Sequence, residues 1–240
     1  NKKRSEILEQ LNIQASLPPV LPPIEGNPIR VGIIGFGIRG EQLCRSLGFA
    51  TKDWLQEMEE AVKADPNRTD LKDFMNQEKL NVKLVAVCDI FDKRAQKVID
   101  SFSTQDNPVT RYKTHQELIR SGSVDAVIIA TPDHWHAPMA IDALENHVSV
   151  YLEKPMTHTV EETYRLKEAA GRSKGKFMVG HQHRQTLSFI TAKDIIKKGT
   201  LGHVSIIQTN TNRNDDNGAW NYEIEKEANE QSIDWEQFLG

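Results

Sequence analysis

Short apolar runs alternate along this chain with longer segments of mixed polarity. Arg30–Ile34, Val82–Cys88 (broken only by Lys83), Ala126–Ala130, Val148–Leu152 and Phe177–Val179 are apolar and mostly β-branched. Runs that short, without polar alternation, predict strands buried on both faces. Thr110–Tyr112 adds a brief edge strand. Between the runs lie helical patterns: Glu41–Leu47, Asp92–Ser101 with Asp92 as its N-cap, Ala137–Glu145 and Val160–Ala170. Pro138 is tolerated in a first turn. Thr159 with Glu162 three residues on forms a capping box, and Gly171 marks the expected stop. Strand and helix in alternation predict an α/β fold with a doubly wound parallel sheet.

Three stretches depart from that rhythm. Residues 1–29 form an N-terminal arm whose Leu17–Pro23 segment is proline-rich, which favours an extended polyproline-like path. Residues 50–80 hold two extra helical patterns, Lys52–Lys63 and Asp70–Gln77, separated by Pro66-Asn67. A strand–helix–strand unit needs only one helix there, so this reads as a helical insertion at the sheet edge. After residue 183 come a helix, Thr191–Lys198, and a strand, Val204–Asn210. Residues 30–183 are therefore expected as one domain. Residues 184–240 read as the start of a second α/β domain, with too few strands to complete an open sheet, so the chain is expected to be a fragment.

Composition narrows the picture little. A chain of 240 residues allows one large or two modest domains. A net charge of −4 gives no support to a nucleic-acid partner, which would favour a basic face. No apolar run is long enough to span a bilayer. The two cysteines, Cys44 and Cys88, fall in a helix and a buried strand and read as small core residues. No signal peptide is visible. The expected location is cytoplasmic or, if a leader was removed before Asn1, periplasmic.

The chemistry gathers at strand ends. Val31–Ile34 runs into Gly35-Phe36-Gly37-Ile38-Arg39-Gly40, a Gly-x-Gly-x-x-Gly that opens a helix. Gly35 makes the turn, Gly37 lets a pyrophosphate approach the backbone, and Gly40 lets helix and strand pack closely. The helix start offers unpaired amides to an anion. Asp89 ends the second strand, where a carboxylate accepts hydrogen bonds from an adenosine ribose and repels a 2′-phosphate. No arginine follows it directly, which favours NAD over NADP. Asp89 lies farther from the glycines than the usual spacing, and the insertion accounts for the offset. Thr131-Pro132-Asp133-His134-Trp135-His136 and Glu153-Lys154-Pro155 end two further strands, the side on which open α/β sheets bind ligands. A lysine there donates a hydrogen bond to a substrate hydroxyl and, once drawn out of water, exchanges its proton more readily. His181, His183 and Arg184 follow the last strand. Nicotinamide contact is expected of His136 and His181, substrate contact of His183. The two His-x-His pairs also raise zinc as a rival, but no cysteine or carboxylate at fixed spacing joins them.

Taken in order, the glycine motif, Asp89, Thr131-Pro132 with His136, and Glu153-Lys154-Pro155 resemble the glucose–fructose oxidoreductase / inositol dehydrogenase / MocA family from Arg30 to about Arg184. The resemblance implies an N-terminal Rossmann domain, a C-terminal α/β domain with a large open sheet, and NAD or NADP at the glycine turn. It places Thr131, Pro132 and Glu153 at the cofactor and Lys154 beside nicotinamide and substrate. Arg184 falls where the family often has an arginine. The family's second motif, an Asp and a His on one helix, has no match after Arg184. Ser232–Gly240 resembles the linker that precedes it in some sugar-directed members. The expected function is hydride transfer between nicotinamide and a sugar or polyol hydroxyl, by a homo-oligomer when full length. Two alternatives stay open: a glycosidase or epimerase that oxidises and re-reduces its sugar with NAD retained, and a non-catalytic NAD- or sugar-sensing regulator. The family's glycosidase branch lacks the Glu-Lys-Pro lysine, so Lys154 weighs against that branch.

Overall fold

The computed structural model describes residues 9, 25–210, 216, 218 and 221–240; the proline-rich segment 17–23 lies outside them. Two compact units emerge, one of residues 23–180 with 226–240, the other of 1–22 with 181–225.

The larger unit is built on six parallel strands, β1 (Ile29–Ile34), β2 (Val82–Cys88), β3 (Thr110–Tyr112), β4 (Ala126–Ile129), β5 (Ser149–Glu153) and β6 (Phe177–Gly180), in the order β3-β2-β1-β4-β5-β6. This is the doubly wound Rossmann arrangement. Helices α1 (Ile38–Ser46) and α4 (Asp92–Phe102) cover one face. There Leu43, Cys44, Ala95 and Val98 pack on Val31, Ile33, Leu84 and Val87. Helices α5 (His115–Arg120), α6 (His136–Glu145) and α7 (Val160–Arg172) cover the other, with Leu118, Leu144 and Leu166 on Ile34, Val127, Ile129 and Leu152. The β1–β2 register skips Val85, pairing Val31 with Leu84 but Gly32 with Ala86. That bulge explains why Leu84 and Val87 share a face although they stand three apart.

Local chemistry decides where the helices begin and end. The insertion is two helices, α2 (Lys52–Ala64) and α3 (Asp70–Asn76), with Thr51 capping the first by accepting from the Trp54 amide. The Thr159–Glu162 capping box forms at α7, but that helix runs through Gly171 to Arg172, because a glycine ends a helix only where the chain needs a left-handed residue. Asp92 is not an N-cap. It is the first residue of α4, paired with Arg111; Phe91 is the N-cap, without a side-chain cap, and its amide donates to Asp89. Helix α5 went unforeseen, although Thr114 and Glu117 form a full capping box at its start. Its single turn and a half is too short to show a periodic face.

In the smaller unit α8 (Leu187–Lys197) begins four residues ahead of the expected Thr191. Residues 204–210 form no strand; Ile206 and Ile207 are exposed and no described strand pairs with them. An apolar β-branched run becomes a strand only beside a partner. Residues 226–240, expected in the second domain, pack with the larger unit and end in α9 (Trp235–Leu239).

Candidate functional site

Strand order reverses between β1 and β4, and the crevice opens at the carboxyl ends of these strands. The Gly35 amide donates to the Cys88 carbonyl at 2.9 Å and the Ala130 amide to the Ile34 carbonyl at 2.9 Å, so three strand ends are held together there. Gly35 has φ +85°, and a Cβ on it would stand 2.5 Å from the Ala130 carbonyl oxygen. A Cβ on Gly40 would meet the Gly35 carbonyl oxygen at 2.0 Å. Both positions demand glycine. Gly37 differs: its φ is −75°, and beyond its bare Cα only the Arg94 guanidinium stands close, 3.4 Å from a would-be Cβ. Gly37 is the N-cap of α1 and supplies no side-chain cap. The helix thus presents amides without a side-chain acceptor to a space that a Cβ would narrow, which fits a dinucleotide pyrophosphate.

The crevice is a cleft of about 410 Å³. One wall is Gly35, Gly37, Ile38 and Arg39, and another is Asp89, Ile90 and Arg94. Thr131, Pro132, Trp135 and Thr114–Gln116 also line it. Asp89 is 6% exposed. Its Oδ2 accepts from the Phe36 amide at 2.6 Å and its Oδ1 from the Phe91 amide at 2.8 Å. Burial pushes its carboxyl above the usual aspartate range, while those two amides and the charges of Arg94 and Arg111 pull the other way. Each carboxylate oxygen keeps a further lone pair, so Asp89 both holds the glycine turn and can accept from a ribose hydroxyl. Arg94 is the residue that reading the sequence missed. Its signal was five residues past Asp89, in the first turn of α4, rather than directly after it.

Two expected cofactor contacts turn inward and tie neighbouring loops together. His136 is 2% exposed, with Nδ1 2.6 Å from the Pro155 carbonyl and Nε2 3.0 Å from the Thr131 carbonyl. It ties the Thr131-Pro132 turn to the Lys154-Pro155 turn and does not line the cleft. Glu153 is 3% exposed; its Oε1 accepts from Arg39 Nε at 2.5 Å and its Oε2 from the Lys154 amide at 2.9 Å. It joins β5 to the glycine turn. His158 adds a third tie, with Nε2 3.0 Å from Asp133 Oδ2. Lys154, at the carboxyl end of β5, is exposed. His134 meets the Phe238 carbonyl at 2.8 Å, and Trp135 packs edge-on against His115.

His181, His183 and Arg184 belong to the other unit. His183 takes φ +71°, and its ring stacks on Phe189. Among the described residues no three His, Cys, Asp or Glu side chains gather as metal ligands, and no helix is long and apolar enough to cross a membrane. Cys44 and Cys88 are free, buried thiols pushed up to about 12 by burial, which disfavours the thiolate at both.

Residues 29–181 match the model of an oxidoreductase family with an NAD-binding Rossmann fold. A glycosyl hydrolase family 109 protein from Shewanella sp. (strain MR-4) is 26% identical over 185 residues, 73% of this chain and 33% of its own length. The chain therefore spans about a third of that relative. Among solved structures, myo-inositol 2-dehydrogenase from Lactobacillus plantarum superposes with a TM-score of 0.55 at 23% identity, covering 73% of this chain and 43% of the other. Scyllo-inositol dehydrogenase from Lactobacillus casei, with bound NAD(H) and scyllo-inositol, gives 0.54 at 18%, with the same coverage. At such identities these structures speak for the fold alone.

Proposed function

Because this chain belongs to the glucose–fructose oxidoreductase / inositol dehydrogenase / MocA family of NAD-binding Rossmann oxidoreductases, we propose that it is the nucleotide-binding part of an NAD-dependent sugar or polyol dehydrogenase. The observation that carries this reading is the convergence of the glycine turn and Lys154 through one buried carboxylate. Glu153 holds Arg39 with one oxygen and the Lys154 amide with the other.

When bound, the nicotinamide accepts or returns the hydride of a substrate C–OH. The α1 amides and Gly37 receive the pyrophosphate, and Asp89 accepts from the adenosine ribose. Thr131 and Pro132 line the path toward β5. Lys154 donates to the substrate hydroxyl and relays its proton. His136, Glu153 and His158 fix the two turns that carry these groups, so that placement costs little at the moment of reaction. The assembled enzyme is expected to be a homo-oligomer.

The glycosyl hydrolase family 109 relative favours a second reading, in which a sugar is oxidised and re-reduced while NAD stays bound. The two differ in stoichiometry: a dehydrogenase accumulates reduced nicotinamide, whereas the glycosidase releases its leaving group without added cofactor. The test is a panel of sugars, polyols and aryl glycosides with the full-length protein, following absorbance of reduced nicotinamide and of released aglycone. Lys154→Ala is expected to lower kcat by about 10²–10⁴-fold with NADH affinity little changed. An unchanged rate removes Lys154 from the mechanism.

A further inference from the structure

The last stretch of chain, Lys226–Gly240, packs with the nucleotide-binding unit although the other unit lies between them in sequence. Its anchors fall on the two loops that flank the cleft. On the β2 side, Ile233 forms an antiparallel bridge with Phe91. The Asp92 amide donates to the Ser232 carbonyl at 3.1 Å, and the Asp234 amide donates to the Ile90 carbonyl at 3.0 Å. Lys93 pairs with Glu227 at 2.8 Å. On the β4 side, His134 Nε2 donates to the Phe238 carbonyl at 2.8 Å, with the Trp135 indole N–H 3.4 Å from the same oxygen. Between these anchorages Gln237 and Phe238 line the cleft beside Asp89, Ile90 and Pro132.

The strap is internally stiff. Asp234 accepts from the Gln237 amide at 3.0 Å and from its side-chain amide at 2.5 Å, which fixes the turn that presents Phe238. Phe238 meets Trp235 and His134 edge-on, with centroids 5.6 and 6.3 Å away. An aromatic ring held in this way on the β4 side of the cleft offers an apolar wall to a bound nucleotide.

We propose that Lys226–Gly240 is a cofactor-retaining strap, with Phe238 as a further wall of the dinucleotide site, so that NAD(H) leaves only when the strap lifts from the β2 and β4 loops. This rests on the reading that the cleft takes a dinucleotide. The strap closes over the adenosine half and leaves the Lys154 side untouched. Release is thereby slowed while substrate reaches the nicotinamide end.

The test is the release of NADH from the full chain, followed by loss of bound-nicotinamide fluorescence after a chase with excess NAD. Phe238→Ala is expected to raise the dissociation rate about tenfold, the size of one base–aromatic contact, and Phe238→Tyr to restore it. In the unsubstituted chain, NADH is expected to slow amide hydrogen exchange across residues 232–240, a readout that needs no variant. A dissociation rate within twofold of the parent, or no change in exchange at the strap, overturns the proposal while leaving the dinucleotide site standing. Faster association and tighter binding in Phe238→Ala would overturn it too, because Phe238 would then occupy the site rather than wall it. Failure of the unsubstituted chain to bind NADH would overturn both the strap and the reading beneath it.

Discussion

Asp89 carries two duties that pull against each other. Its oxygens satisfy the Phe36 and Phe91 amides in a buried position, and the same carboxylate faces the cofactor cleft. Burial raises its folded pKa, so the proton is favoured in the fold more than in the unfolded chain. Its contribution to stability is therefore greatest below the ordinary aspartate pKa and is lost as pH rises through the raised value. Cofactor choice follows the opposite sign, since only the ionised form repels a 2′-phosphate. Acidification from neutral pH is expected to weaken NADH binding and shrink the preference for NADH over NADPH, and Asp89→Asn should flatten that pH dependence. The check is the ratio of the two Kd values between neutral and acid pH. A ratio that does not move with pH in the parent chain would remove Asp89 from recognition. The sequence marked Asp89 as a candidate ribose ligand. It did not show that the residue also holds the turn, because nothing in the order of residues reports which amides a bend leaves unpaired.

The elements themselves were legible wherever the pattern was long. All six strands stand within a residue of their expected bounds; all but the short polar edge strand β3 announce themselves as apolar runs, as parallel strands buried on both faces do. Failures have specific causes. Helix α5 was too short for periodicity, and Val204–Asn210 has the residues of a strand without a described partner. His136 and Glu153 stood at the expected strand ends but turn inward to tie loops, which depends on side-chain direction rather than position. At this scale the capping box of α7 and the close packing of Gly40 predict opposite outcomes. Thr159→Ala is expected to cost about 1 kcal/mol in stability without touching NADH affinity, measured by denaturant unfolding and titration. Gly40→Ala forces a Cβ against the Gly35 carbonyl oxygen and is expected to destabilise the unit and abolish binding together. Normal NADH affinity in Gly40→Ala would mean that the β1–α1 turn has been misread.

Across the whole molecule, a dinucleotide crevice is assembled from chain segments far apart in sequence. The glycine turn, the Asp89 loop, the Thr131 turn and the strap around Phe238 meet only because the sheet order brings β1, β2 and β4 side by side. Local pattern predicted the first three, since each ends a recognisable strand. It could not predict the strap, whose partners at Ile90–Lys93 lie more than a hundred residues upstream and whose hydrogen bonds run through backbone atoms. The central claim is that the amides at the start of α1 receive a dinucleotide pyrophosphate over bare Gly37. Gly37→Asp tests it with unusual directness. The position has an ordinary φ, its Cβ would meet only Arg94, and aspartate is a better N-cap than glycine, so the free protein should be stabilised by about a few tenths of a kcal/mol. The decisive measurement is calorimetric titration of the full chain with NADH, parent beside Gly37→Asp. One dinucleotide bound per parent chain, and none by a variant that melts no lower, is the predicted result. Undiminished binding by the variant, or no saturable binding by the parent, would contradict the account.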